Sequence, residues 1–153
     1  MQQKVLFRLQ KELKELQDNP IPGVEVAVNK CDDFKPWEII IDGPKGTLYE
    51  KGKFHLIVSF SPDYPFRAPQ LAFKHKIYHV NVTQDGKIIQ NEGLFESNWK
   101  PMSRIRDYIF IIIQMLITPE SGGALDPDVF TKFRENRAEY DRKAREWTKL
   151  YAK

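Results

Sequence analysis

Apolar positions change period twice along this chain. Leu6, Leu9, Leu13 and Leu16 recur at intervals of three, four and three, with Lys and Glu between them. That spacing puts one apolar stripe on a helix, which Asn19-Pro20 stops. The period then shortens. Val24-Glu25-Val26-Ala27-Val28 alternates as a half-buried strand does, and the runs from Trp37 to Ile41 and from Phe54 to Phe60 predict two more. Between those two lies Asp42-Gly43-Pro44-Lys45-Gly46, a dense turn signal, and Gln70 to Phe73 supplies a fourth strand. Connections this short favour an antiparallel meander, because parallel pairs need a dozen or more residues to cross over.

Residues 74 to 102 carry no periodic element. A connection of that length in a compact domain is usually functional or disordered, and Ile88, Ile89, Phe95 and Trp99 give it enough apolar side chains to pack in order. Helical spacing resumes near Ser103, a plausible N-cap, and runs to Ile117, ahead of Thr118-Pro119. Phe110-Ile111-Ile112-Ile113 is apolar nearly all round, which predicts a buried central helix. Asp126-Pro127 pairs an N-cap with proline at the first helical position and opens a short helix carrying Val129, Phe130 and Phe133. A last helix is expected from about Asn136, with Tyr140, Ala144, Trp147 and Tyr151 buried along one side. One helix, a four-stranded meander and three further helices make a single α+β domain spanning residues 1–153.

Composition narrows the function. A formal charge of +3 lacks the concentrated basic face of a nucleic-acid binder, although residues 132–153 hold eight Lys/Arg against four Asp/Glu. We read that excess as solvated surface. The single cysteine, Cys31, excludes an intrachain disulfide and a multi-cysteine zinc site. The longest apolar run, from Tyr108 to Ile117, is half of what a membrane span needs. Met1-Gln2-Gln3-Lys4 opens a charged segment rather than a signal peptide, so a cytoplasmic or nuclear location is expected and Asn81-Val82-Thr83 is a chance glycosylation match. His75 and His79 straddle a strand end and a loop without a third ligand, and Gly43-Pro44-Lys45-Gly46-Thr47 lacks the spacing of a phosphate-binding loop. Neither metal nor cofactor is expected.

The motifs are more specific. Tyr64-Pro65-Phe66-Arg67-Ala68-Pro69 is followed by His79-Val80-Asn81, then Gln84-Asp85-Gly86-Lys87-Ile88-Ile89-Gln90, and ten residues after Ile89 by Trp99-Lys100-Pro101. In order and spacing these resemble the signature of ubiquitin-conjugating enzymes: a Tyr-Pro-Phe-x-x-Pro loop, His-Pro-Asn, Gly-x-Ile-Cys and Trp-x-Pro. The resemblance runs from the first helix to Trp147-Thr148-Lys149-Leu150-Tyr151 and implies that family's fold. It also implies roles. Family chemistry is acyl transfer through a cysteine thioester, and Ile89 stands where the cysteine belongs. An isoleucine has no lone pair to attack with, and Cys31 lies 58 residues away in sequence. Asn81 matches the asparagine proposed to stabilise the oxyanion, His79 matches the histidine that braces the loop, and Val80 departs from the family's proline. In Pro119-Glu120-Ser121-Gly122-Gly123, Gly123 falls where many active members carry an acid.

The partner surfaces implied by the resemblance are better kept. Phe66, Pro101 and Met102 occupy the places that ligase domains grip, and Arg8 and Lys11 match the basic residues of the first helix, while Phe7 sits where a lysine is often found. On sequence, Phe66 is equally readable as a core residue packed on Trp99 or Pro69. The expected function is a non-catalytic conjugating-enzyme variant, a binding or regulatory module. Its expected partner is ubiquitin or a ubiquitin-like modifier, a ubiquitin ligase or an active conjugating enzyme, with no nucleic acid and no membrane. The alternatives are an active enzyme with an unrecognised nucleophile, such as Lys87, and a degenerate relic.

Overall fold

The computed structural model describes residues 2–88, 99–119 and 126–153. Helix α1 (Gln2–Asp18) leads into a four-stranded sheet of β1 (Val24–Val26), β2 (Trp37–Asp42), β3 (Lys53–Ser59) and β4 (Gln70–Phe73). Helices α2 (Ile105–Ile117), α3 (Pro127–Glu135) and α4 (Arg137–Tyr151) follow. The strands pair antiparallel in sequence order, with Val24 opposite Ile41, Ile39 opposite Leu56 and Leu56 opposite Phe73. The expected meander is therefore present. Alternation decides the buried face: Trp37, Ile39 and Ile41 of β2 and Phe54, Leu56 and Val58 of β3 all point into one core.

The helices supply the other side of that core. α1 buries Val5, Leu9, Leu13 and Leu16, so the stripe is the expected one except that Val5 lies deeper than Leu6. α2 buries Ile105, Tyr108, Ile109, Ile112, Met115 and Leu116. It is not apolar-buried all round: Phe110 is 49% exposed and Ile117 is 48% exposed, because a helix lying on one sheet has one side left to solvent. Its N-cap is Arg104 rather than Ser103, whose hydroxyl instead accepts the Lys100 N–H at 3.0 Å in the preceding turn. The Asp107 carboxylate reaches back to the Arg104 N–H at 2.8 Å.

Asp126 caps α3 as expected, accepting the N–H groups of Asp128 and Val129, with Pro127 at the first helical position. In α4 the buried side is Tyr140, Ala144 and Thr148. Trp147 is only partly buried and Tyr151 is 37% exposed, which corrects the expected stripe. Thr148 fits inside because its hydroxyl donates to the Ala144 carbonyl at 2.8 Å. The β2–β3 connection folds onto this helix. A Cβ at Gly43 would lie 1.6 Å from the Tyr49 carbonyl oxygen, so only glycine lets the two backbones approach. No described helix is long and apolar enough to cross a membrane.

Candidate functional site

The His79-Val80-Asn81 segment lies in a tight loop after β4, where the N–H of Val82 donates to the His79 carbonyl at 3.1 Å. His79 is fully buried. Its Nδ1 accepts the Asn81 N–H at 2.9 Å, so the ring proton sits on Nε2, which donates to the Met115 carbonyl of α2 at 2.8 Å. One neutral tautomer satisfies both bonds. Burial drags the His79 pKa down to about 4.

Two tyrosines hold the same loop from behind. Tyr49 donates to the Tyr78 carbonyl at 2.8 Å, and the Tyr140 hydroxyl accepts the Val80 N–H at 3.1 Å. The two hydroxyls lie 3.4 Å apart. Since Tyr49 has given its proton to Tyr78, the remaining bond runs from Tyr140 to Tyr49. Burial raises both phenols above their ordinary range; Tyr140 adds to the rise at Tyr49, whereas the bond to Tyr49 offsets part of the rise at Tyr140. Val80, where the family has proline, thus keeps an N–H and the structure uses it.

Residues 83–87 continue as a turn against β4. Gly86 has φ +100°, and a Cβ there would stand 2.6 Å from the Phe73 carbonyl oxygen. The Gln84 amide donates to Asp126 at 2.6 Å, tying this turn to the α3 cap. Asn81 is buried, and Lys87 is exposed on the turn. Ile89 and Gly123 lie outside the described residues.

A second cluster sits at the other end of α2, where α1 meets its first residue. Glu12 is only 5% exposed, yet it is bonded on three sides. It accepts the Arg8 guanidinium at 2.9 Å, the Ile105 N–H at the start of α2 at 2.8 Å, and the Tyr64 hydroxyl. Arg8 also donates to the Pro101 carbonyl at 3.1 Å and the Ser103 carbonyl at 2.5 Å. Sequence reasoning passed over Glu12. Its signal was an acid inside the Leu9–Leu13–Leu16 stripe. Arg8, expected among the partner-binding residues, is partly buried and spans α1 and the Trp-x-Pro loop.

That bracing fixes what stays outside. Trp99 gives its indole N–H to the Pro65 carbonyl at 2.7 Å and packs on Tyr64 and Tyr108 at centroid distances of 5.7 and 5.0 Å. Phe66 therefore does not take the core position beside Trp99 and is 77% exposed. Met102 is 90% exposed and Phe7 68% exposed; Pro101 and Lys11 are exposed as well. The structure thus presents Phe66, Pro101 and Met102 together with the face of α1 that Arg8 binds to their loop.

Cys31 is elsewhere. It lies between β1 and β2, buried, with its carbonyl accepting the Gln10 side chain of α1 at 2.8 Å and its thiol directed at the Asp33 carbonyl. Burial above all pushes this thiol up, away from a reactive thiolate. Among the described residues no cluster of His, Cys, Asp and Glu could hold a metal ion.

A meander sheet backed by four helices, with a braced His-x-Asn loop and an exposed Phe/Pro-Met rim, defines a ubiquitin-conjugating-enzyme-like domain. The family model for ubiquitin-conjugating enzymes matches residues 8–148. The chain belongs to that family. It is similar to the structure of a candidate ubiquitin conjugating enzyme from Plasmodium yoelii, with 33% identity and a TM-score of 0.86, covering 97% of this chain and 96% of that one. A ubiquitin conjugating enzyme E2 domain from Toxoplasma gondii is 32% identical, with a TM-score of 0.82 and coverage of 95% and 99%.

Proposed function

We propose that this chain is a non-catalytic member of the family, a binding or regulatory module in the conjugation of ubiquitin or a ubiquitin-like modifier. The observation that carries this reading is its thiol inventory. There is one cysteine, it is buried under α1, and the position that the motifs align with the thioester cysteine reads Ile89. A thioester route needs a sulfur that can attack and later leave, and losing the nucleophile of a covalent enzyme costs on the order of a million-fold. The docking features support a binding role, since Phe66 and Met102 stand out to solvent on a framework that hydrogen bonds hold rigid. Its partners would be the modifier, a ligase, or an active conjugating enzyme.

The test is a charging assay with activating enzyme, ATP and ubiquitin, resolved on gels with and without thiol reductant, with Ile89→Cys alongside. No adduct on the natural chain is expected, and a reducible adduct on the variant would mark a scaffold lacking only its nucleophile. An adduct on the natural chain would overturn the proposal. Its stability to reductant would then separate a lysine amide, for instance at Lys87, from a thioester.

A further inference from the structure

Where the β2–β3 connection meets the end of α4, the surface folds into a hollow of about 570 Å³. Five cations line it: Lys51 and Lys53 from the connection and the start of β3, Arg145 and Lys149 from α4, and Lys153 beyond it. Glu50 is the single acidic side chain in the lining, and its carboxylate is engaged by the Gly46 N–H at 3.0 Å. Lys53 pairs with Asp42 on the neighbouring strand. Among the described residues the other four have no ion-pair partner, so no side-chain ion pair offsets their charge in the hollow.

The backbone gives a second, independent sign. Lys51 has φ +69°, a left-handed conformation that glycine adopts freely and that costs a residue with a Cβ about 1 kcal/mol or more. A long cationic side chain thus stands at the one hollow-lining position where it is conformationally disfavoured. Non-glycine strain of this kind is characteristic of ligand sites.

We propose that this hollow binds a compact, multiply charged phosphate ligand, independently of the proposed role in conjugation. Concave low-dielectric walls focus the field of like charges, and lysines are point-charge partners for phosphate. The hollow is within the usual size range of small-molecule sites. The charge density selects the class. An extended acidic peptide presents one side chain per face about every 7 Å, too sparse to meet five cations in so small a space. Among the described residues no aromatic side chain lines the hollow to give nucleic-acid bases a stacking platform.

The test is calorimetric titration of the 153-residue chain with inorganic tripolyphosphate at 50 and 200 mM salt. Alongside it runs sedimentation with phosphatidylcholine vesicles that do or do not carry phosphatidylinositol bisphosphate. Saturable binding that weakens with salt is expected. It should fall at least about tenfold in Lys149→Glu, two units of charge at one wall, and stay unchanged in Lys14→Glu, the same charge change on α1. Lys51→Gly should weaken binding while raising the melting temperature, an opposition that a merely structural lysine would not produce. Tighter binding to the bisphosphate vesicles than to tripolyphosphate would assign the phosphates to a lipid headgroup. No binding, equal loss in Lys14→Glu, or equal affinity for a hexaglutamate peptide would overturn the proposal. The charging assay does not read this hollow, so the two ideas fail separately.

Discussion

His79 and Phe66 show opposite fates for motif residues. A protonated His79 would have to place a second N–H on Nδ1, where the Asn81 N–H already points, and would do so without water. Its imidazole should therefore stay neutral by NMR from pH 7 down to about 5; a midpoint near the ordinary 6.5 would disprove the bonding pattern. Stability follows with a definite sign. An unfolded chain takes up this proton near 6.5 and the folded one near 4, so the contribution is complete above about 6.5. It shrinks as pH falls toward 4, by on the order of 3 kcal/mol from this group. His75, also lowered chiefly by burial, acts in the same direction. Phe66 faces the other way. At 77% exposure it contributes little to the core, so Phe66→Ala should move the unfolding free energy by no more than about 0.5 kcal/mol. If the rim is a ligase surface, the same change should weaken binding at least about tenfold by calorimetry. A large melting shift would show that Phe66 is structural.

At the scale of elements, Glu12 joins α1, the Tyr64-Pro65 loop and the start of α2. Glu12→Leu would leave the Ile105 N–H, the Tyr64 hydroxyl and one face of Arg8 without their acceptor. Breaking a buried charged pair in this way costs about 3–5 kcal/mol, to be read from urea unfolding. A cost under about 1 kcal/mol would mean that the three elements are held by packing alone. Glu12 also marks the limit of sequence reading. Strand alternation and helical stripes gave all eight elements, because period follows directly from burial on one face. Caps were readable where one side chain does the work, as at Asp126, and failed by one residue at Ser103, where Asp107 completes the cap from inside the helix. The α4 stripe slipped from Trp147 and Tyr151 to Thr148 because a threonine can hide its hydroxyl on the preceding turn. Long-range polar contacts such as Arg8 with Pro101 leave no periodic trace. They follow from tertiary placement alone.

For the whole molecule, α3 and α4 belong to the same folded unit as the motif loop. Tyr140, far along the chain, holds Val80, while Gln84 reaches Asp126 ahead of α3. Ending the chain before Arg137 should therefore disorder the loop as well as shorten the protein. The expected readout is loss of dispersed NMR signals from residues 78–82, and a fragment retaining them would refute this coupling.

The Val80 amide then becomes a gauge of C-terminal docking. Its partner is a side-chain oxygen on a helix 60 residues away, not a neighbouring strand. Hydrogen–deuterium exchange at that one position can proceed only when α4 lifts or the whole domain opens. If a partner seats on the exposed rim and tightens the fold, the slowing will register at Val80 before any contact is made there.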